Sequence, residues 1–264
     1  MPTRWQAIGI SAFWAIMMGL LVERDVLPHW RLTPQPDFRV LSQAEVLPTP
    51  VRWAILQTDH RIGFVETGWR RQSDGWCEFY SELELNPVEL RGFGLLSSLL
   101  STGAGGALRC TSSFHITPQG NLDHFDVEVF PAESKPAMTV HGRLDRDIMR
   151  VSFRSVGLSY DEEFYYEPHS LITTSLTPID KLPDLSVGKA WEYRVMNPLA
   201  RTTEVVRCEV TGEQVITWHN EPWQTYVVDQ HYGRMRAHCW VKHDGTVLRQ
   251  EVPFGWNTLI LEHE

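Results

Sequence analysis

The sequence lacks the short motifs that identify the common enzyme classes. It contains no GxSxG nucleophile motif, no HExxH zinc motif, no glycine-rich phosphate loop followed by Lys-Ser or Lys-Thr, and no GxGxxG dinucleotide fingerprint. It also has no CxxC pair, and His238, Cys239 and His243 do not have the ligand spacing of a structural zinc site. We therefore expect a protein that is not an enzyme, with no catalytic residue, no metal and no cofactor.

Basic residues are in the minority. The chain has 24 Lys and Arg against 33 Asp and Glu, which gives a formal net charge of −9 at pH 7 and a pI of about 5.7. Binding to a nucleic-acid backbone requires clustered Lys and Arg side chains that neutralise phosphates. The charge balance therefore argues against nucleic acid as a partner.

An uncharged run lies at the N-terminus, over residues 5–22, with Arg4 before it. As a helix it would be roughly 27 Å long, close to the ~30 Å hydrocarbon core of a bilayer. Trp5 and Trp30 lie near its two ends, where indole rings favour the membrane interface. Because Lys and Arg favour the cytoplasmic side, we predict a single-pass anchor over residues 1–25 in the inner (cytoplasmic) membrane, with the N-terminus inside.

Two other interpretations of this run remain open. A cleaved signal peptide usually has an apolar region of ~7–15 residues and a small-x-small cleavage site, and neither fits residues 5–22. A buried helix of the globular body is the third alternative. The anchor is the preferred interpretation, and it makes the lipid bilayer a partner and places the body outside the cytoplasm, in the periplasm.

The remaining chain divides by composition into three parts. Residues 26–50 carry five prolines and no apolar periodicity, which is typical of an extended spacer. A first β block is predicted over residues 51–180 and a second over residues 185–264, with the Pro-bracketed segment 178–185 between them. Either one continuous curved sheet or two packed β subdomains is consistent with this division.

The pattern after residue 50 predicts a mainly β fold. Short stretches alternate apolar and polar residues, and Gly, Pro, Asn or Asp separate them. The expected architecture is an antiparallel curved sheet, half-barrel or sandwich in meander order. The predicted strands are 51–57, 61–71, 76–86, 107–117, 122–131, 137–143, 148–155, 158–166, 170–176, 189–197, 201–210, 213–218, 223–231, 234–242, 246–252 and 256–262.

Residues 89–106 break the β pattern. Leucines at four positions fit one face of a short helix, and three glycines after them end it. Such an insert either caps the open end of the core or forms a mobile apolar lid or membrane-touching loop. On the second interpretation the candidate ligand-binding residues are Phe93, Leu96, Leu99 and Leu100.

Of the 11 Trp residues in the chain, eight lie in the predicted strands. So many large rings need a second layer to bury them, so they either fill a sandwich core or line a concave apolar face. A protein that binds a hydrophobic ligand requires the second arrangement. On that basis Trp191, Trp223 and Trp240 join the candidate ligand-binding residues.

Four cysteines, Cys77, Cys110, Cys208 and Cys239, occur in the part of the chain predicted to be exported. An even count in an oxidising compartment permits two disulfides, and pairing in sequence order is the simplest hypothesis. Four reduced, buried cysteines that act as small apolar residues are the alternative.

Three polar groups are candidate sites. His124, Asp126 and Glu128 alternate along one strand, so they share a face and could form a cation site, although calcium requires more oxygen ligands. The acidic triplet 161–163 is interpreted as a solvated turn. A nucleophile set of Cys239 with His231 or His238 and Asp229 is disfavoured, because adjacent His238 and Cys239 point to opposite faces of a strand.

The C-terminal block runs LSVGKAWEYRVMNPL, then TTEVVRCEVTGEQVI, then WQTYVVDQHYGRMRAHCWVKHDGTVLRQEVP, with W-V-x-x-D-G-x-V-L-R near its end. This strand-and-turn pattern resembles the curved β-sheet domains of bacterial envelope proteins, which include the outer-membrane lipoprotein-sorting carriers and periplasmic domains of unknown function. The resemblance covers about residues 185–252 and, less closely, 60–155. It implies a curved sheet and a hydrophobic ligand, but no functional residue is carried across.

The leading functional hypothesis is a non-catalytic, membrane-anchored protein whose β body binds a lipid or another hydrophobic group, or an envelope partner. A permanently tethered chain differs from a soluble carrier, so shuttling is not expected. Two alternatives remain: a structural accessory subunit of an envelope or transporter complex, and an unrecognised hydrolase or transferase.

Overall fold

The computed structural model describes residues 13–14, 17–18, 50–58, 60–86, 107–131, 135–167, 170–172, 177–182, 184–197, 202–233, 235–254 and 257–264. The four N-terminal residues among these are helical, with exposed side chains. Within the described ranges, no helix combines the length and apolar character that crossing a bilayer requires. Most of the predicted anchor lies outside the described residues, so it stays a prediction.

The described body consists of fifteen β-strands. Their bounds are β1 Val51–Gln57, β2 His60–Arg71, β3 Cys77–Leu85, β4 Leu108–Ile116, β5 Leu122–Pro131, β6 Met138–Asp145, β7 Ile148–Ser155, β8 Leu158–Tyr165, β9 Leu171–Ile172, β10 Ala190–Asn197, β11 Thr202–Trp218, β12 Glu221–Tyr232, β13 Met235–Val241, β14 Val247–Phe254 and β15 Asn257–His263.

All fifteen strands belong to one sheet, in the order β8-β7-β6-β5-β4-β3-β2-β1-β15-β14-β13-β12-β11-β10-β9. The first strand pairs with the last, and Trp53 lies opposite His263 in that ladder. This pairing joins the two predicted blocks into one continuous sheet, which is one of the two arrangements that the sequence left open. The prediction of a mainly β, antiparallel fold is confirmed, except that β9 pairs with β10 in parallel.

The connection between the two end strands shows that the sheet is curved. Laid flat, fifteen strands at about 4.8 Å spacing would separate β8 from β9 by about 67 Å. Only residues 166–170 connect these strands, and that length of chain reaches at most about 22 Å. The sheet must therefore curl until its ends approach, although the described residues form no ladder between β8 and β9.

One face of the sheet forms a single buried core. Alternate positions of each strand point to the same face, so Trp53 and Ile55 of β1 lie beside Val65 of β2, and all three have at most 1% exposure. The same core continues to both halves of the sheet, through Phe114 on one side and Cys208 on the other. The curved sheet thus encloses its own apolar face.

Two predictions about local structure were wrong. The predicted strands 201–210 and 213–218 form one strand, β11, because the residues between them make a β-bulge at Val210/Gly212 instead of a turn. The acidic triplet 161–163 is not a turn either. It lies inside β8, where Arg150 and Arg154 of the neighbouring strand pair with Glu163 and Asp161.

The strands define two ends of the curved sheet. We call proximal the end where residue 50 enters β1 and residue 264 leaves β15, and distal the end that holds the β1–β2 turn. Because the strands are antiparallel, the connections alternate between these ends. The distal end also receives the connections at residues 86–107, 155–158, 197–202 and 232–235.

Candidate binding surfaces of the sheet

A segment between β9 and β10 lies inside the curve of the sheet. We call residues 177–182 the strap. The Ile179 carbonyl accepts a hydrogen bond from the Gln250 side chain at 2.9 Å, and the Leu182 amide donates to the Gly245 carbonyl at 2.8 Å. Leu182 is 3% exposed and belongs to the core. The strap therefore fills part of the space that a ligand would need inside the sheet.

Asp180 is the titratable group of the strap. Its carboxylate accepts a hydrogen bond from Trp53 Nε1 at 2.9 Å and from Thr67 Oγ1 at 3.0 Å. Burial raises the pKa of Asp180 to about 6, while the hydrogen bonds from Trp53 and Thr67 act in the opposite direction. The carboxylate thus fixes the strap to β1 and β2, and its protonation changes just below neutral pH.

The proximal end is covered by the tip of the β11–β12 hairpin. Trp218 Nε1 at that tip donates to the His263 carbonyl at 2.9 Å, and the His263 ring meets Trp53 edge-on with centroids 5.2 Å apart. Burial lowers the pKa of His263, and His219 and Lys242 lower it further by charge repulsion. A neutral His263 therefore packs between the hairpin and the core.

The distal end carries exposed apolar side chains. Val156 is 89% exposed, Leu158 54% and Met235 46%. The Leu-rich segment leaves β3 after Leu85 and returns to β4 at Leu108, both buried at this end. The candidate residues Phe93, Leu96, Leu99 and Leu100 lie outside the described residues. The strand residues on either side of their segment lie at the distal end, whose edge we call the distal rim.

The three candidate tryptophans do not share one surface. Trp191 lies on the buried face with 3% exposure, and its Nε1 has no hydrogen-bond partner among the described residues. Trp223 packs edge-on against Trp218 near the proximal hairpin tip, with centroids 6.0 Å apart. Trp240 lies on the opposite face of the sheet, where its Nε1 donates to Gln214 at 3.0 Å. These three positions therefore do not form a single concave aromatic face.

The four cysteines are free thiols in the structure. Cys77 and Cys110 lie on neighbouring strands but six positions apart in register, about 20 Å along the strand. Cys208 and Cys239 lie on β11 and β13, with Gln230 of β12 between them. A Cys77–Cys110 disulfide would therefore require a different strand register.

Burial also bears on cysteine reactivity. It raises the pKa of Cys239 to about 12, and Cys239 is 1% exposed. A protonated, enclosed thiol is a poor nucleophile. His238, the neighbour proposed as its base, points to the other face and bonds to Asp229 at 2.9 Å. This geometry argues against a nucleophile set built on Cys239.

A histidine cluster lies on the exposed face of the other half of the sheet. His115 of β4 and His124 of β5 are direct cross-strand partners, and their rings stack with centroids 4.0 Å apart and planes 10° apart. Asp126 lies two residues after His124, on the same face of β5. Its cross-strand partner is His141 of β6, whose Nδ1 lies 2.7 Å from the Asp126 carboxylate. Register alone thus brings three histidines and one carboxylate together.

Neighbouring groups act on the pKa of His115 in opposite directions. Burial lowers the pKa of His115, and so does repulsion from His124, while Glu78, Asp126 and Asp123 raise it. Donor atoms of His115, His124 and Asp126 all lie within 4.8 Å of one another. Imidazole nitrogens and carboxylate oxygens are typical ligands of transition-metal ions.

Sequence reasoning found only part of this cluster. It placed His124, Asp126 and Glu128 on one face but missed His115 and His141. The signal for His115 was available, because it and His124 lie symmetrically about the gap at 118–121 between two predicted strands, and a hairpin places such residues opposite each other. Glu128 is not among the three grouped residues.

The fold is similar to that of a solved bacterial protein. The crystal structure of a β-barrel-like protein of domain of unknown function DUF1849 from Brucella abortus matches with a TM-score of 0.50 and 8% identity, covering 81% of this chain and 95% of that chain. At this identity the likeness concerns the fold alone. It confirms that the fold resembles that of a curved β protein of unknown function. No protein-family model matches the chain, and no curated protein matches it.

Proposed function

We propose that this chain is a non-catalytic, membrane-anchored protein that binds the acyl chain of a lipid at the distal rim of its β body. The observation that carries the proposal is the meeting of two apolar features at one end of the sheet. The exposed side chains of Val156 and Leu158 lie there, and the Leu-rich segment 87–106 starts and finishes there.

The interior of the sheet is less suited to a ligand of this size. Trp53, Phe114 and Phe125 have at most 1% exposure, and the strap occupies further space beside β1 and β2. Closely packed side chains leave little room for an acyl chain without a cavity. Binding at the rim needs no such cavity.

The predicted anchor and spacer are compatible with a rim that touches the bilayer. Residues 26–50 would reach roughly 78 Å when extended at ~3.1 Å per residue. The β2 strand, with 12 residues, spans about 40 Å. The spacer is therefore long enough for the distal end to turn back to the membrane in which residues 5–22 are anchored.

The energy of such contact is set by the apolar area that leaves water. Each CH2 group buried contributes about 0.8 kcal/mol, so five or six groups contribute about 4–5 kcal/mol before the cost of ordering the rim. Val156, at 89% exposure, has nearly its whole side chain available for this contact.

The test compares rim variants with a matched control. The full chain is extracted in mild detergent and examined by native mass spectrometry for bound phospholipid. We expect V156D combined with L158D to lower the lipid-bound fraction at least about tenfold, because a charge in an apolar contact costs more than 1.4 kcal/mol. Val187, 57% exposed near the proximal end, gives the control V187D, which should leave lipid binding unchanged. Equal losses in both variants, or no bound lipid in the wild-type chain, would exclude rim binding.

A further inference from the structure

We propose that His115, His124 and Asp126 bind a divalent transition-metal ion of the Zn²⁺ type on the exposed face of β4 and β5. Their donor atoms all lie within 4.8 Å of one another. The site is separate from the distal rim and does not depend on the lipid-binding proposal.

Strand register builds the site. His115 and His124 face each other across β4 and β5, and Asp126 is the next residue of β5 on that face. The side chains are therefore held by the ladders of three neighbouring strands, β4, β5 and β6. Ligands on strands are positioned more rigidly than ligands on loops.

Neighbouring groups orient two of the three ligands. Asp123 Oδ2 lies 2.8 Å from His124 Nδ1, so a proton on Nδ1 is shared with the carboxylate and Nε2 is left as the free lone pair. His141 Nδ1 lies 2.7 Å from Asp126 Oδ1, which leaves Oδ2 for a metal. Hydrogen bonds of this kind from a second layer of residues are typical of metal ligands.

Binding a metal ion requires the three side chains to rearrange. Zn²⁺ binds imidazole nitrogen at about 2.0–2.1 Å and carboxylate oxygen at about 2.0–2.2 Å, which places tetrahedral ligands about 3.3 Å apart. The donor atoms must move closer by about 1.5 Å, and the stacked rings of His115 and His124 must turn, because a metal–nitrogen bond lies in the plane of the imidazole ring. The side chains of His124 and Asp126 are 31% and 47% exposed, which leaves room for these movements. Three protein ligands leave the fourth position to water.

The ligand types select the class of ion. Two imidazoles with one carboxylate suit Zn²⁺, Ni²⁺ or Cu²⁺, whereas Ca²⁺ and Mg²⁺ prefer oxygen ligands alone. Zn²⁺ is therefore the probe, and Ca²⁺ is the negative control ion.

The sheet supplies a matched control site. His238 and Asp229 form another partly exposed histidine–carboxylate pair, with His238 Nδ1 2.9 Å from Asp229 Oδ1. In the described part of the chain, the His115, His124 and Asp126 group is the one with three donor side chains in reach. H238N therefore changes a similar pair that should not bind the ion.

The experiment is calorimetric titration of Zn²⁺ into the full chain in mild detergent, without a histidine tag. We expect one Zn²⁺ per chain, no heat from Ca²⁺, at least tenfold weaker binding in H124N and in H115Q, and about tenfold weaker binding in D123A, which loses only the orienting carboxylate. H238N should bind as the wild type does. Thermal unfolding without Zn²⁺ checks that each variant is folded.

Three results would overturn the proposal: no Zn²⁺ binding by the wild-type chain at micromolar concentrations, unchanged affinity in folded H124N and H115Q, or an equal loss in H238N. If H124N is unfolded, H115Q on the neighbouring strand decides the question, because it removes a different ligand. Stronger binding of Ca²⁺ than of Zn²⁺ would also exclude the assignment.

Discussion

The carboxylate of Asp180 accepts a hydrogen bond from the indole of Trp53 at 2.9 Å, although 127 positions separate the two residues along the chain. Trp53 lies in the first strand of the body, and Asp180 lies in the strap that follows β9. This contact ties the interior of the curved sheet to the segment that crosses it. Several properties of the fold can be tested through it.

The first prediction concerns pH. The pKa of Asp180 is about 6 in the folded chain against 3.8 for the free side chain, so the folded state holds this proton more tightly than the unfolded state. This tighter proton binding stabilises the folded state fully below pH 4. The stabilisation, at most about 3 kcal/mol, is lost as the pH rises to about 6. D180N does not titrate in this range. We expect the stability of D180N relative to wild type to increase between pH 4 and pH 7.

Chemical unfolding of the full chain in mild detergent at pH 4, 5, 6 and 7 measures this difference. Other carboxylates titrate in both proteins and cancel in the comparison. A constant difference between the two unfolding free energies at all four pH values would show that Asp180 is not the group responsible.

The second prediction separates a charged acceptor from a neutral one. Thr67 and Thr225 are both fully buried, and their hydroxyls donate to the Asp180 carboxylate at 3.0 Å and to the Gln214 carbonyl at 2.9 Å. Hydrogen bonds to charged groups contribute more than bonds to neutral ones. T67V should therefore cost about 2 kcal/mol at pH 7 and about 1 kcal/mol at pH 4. T225V should cost about 1 kcal/mol at both, and a pH-independent cost in T67V would contradict the ionised state of Asp180 at pH 7.

The third prediction uses a glycine in the core. Gly142 of β6 lies opposite Phe125 of β5, and a Cβ at Gly142 would come within 2.1 Å of the buried Phe125 ring. G142A should destabilise the fold by about 1–3 kcal/mol, because the ring must shift inside a packed core. At Gly212, in the bulge of β11, a Cβ would meet nothing within 4 Å. G212A should change stability by less than about 0.5 kcal/mol, and similar losses in both variants would argue against the packing described for Phe125.

The glycines between predicted strands also show what the sequence could and could not predict. Gly75, Gly120 and Gly245 lie in gaps between predicted strands and have φ angles of +88°, +81° and +85°, so the chain turns where the local pattern ended those strands. Gly212 lies in the gap between the predicted strands 201–210 and 213–218. It does not have a positive φ and instead continues one strand through a bulge, because tertiary pairing with β12 on both sides outweighs the local signal.

Long-range features were the least predictable. The pairing of Trp53 with His263 depends on contacts at opposite ends of the chain, which no local pattern encodes. The prolines around 178–183 indicated a linker, since proline disfavours regular structure. In the structure, the backbone between them pairs with residues 245–247 and buries Leu182. Cross-strand assembly likewise explains why His115 and His141 were missed.

The fourth prediction concerns the cysteines. Because all four are free in the structure, alkylation of the chain under denaturing, non-reducing conditions should add four alkyl groups, as read by intact mass. In the folded chain Cys208 and Cys239, with at most 1% exposure, should not react at neutral pH, since burial raises the pKa of both thiols. Two additions in place of four would reveal a disulfide and favour the alternative that the sequence left open.

Photo-crosslinking is the most direct test of acyl-chain binding at the distal rim. The full chain is placed in nanodiscs whose phospholipid carries a photoreactive group near the end of one acyl chain, and labelled peptides are mapped by mass spectrometry. Labels in residues 5–22 report the predicted anchor and act as the internal reference. We expect further labels in residues 87–106 and 155–158, with none in residues 184–189 at the proximal end. Labels restricted to residues 5–22 would show that the rim does not bind lipid.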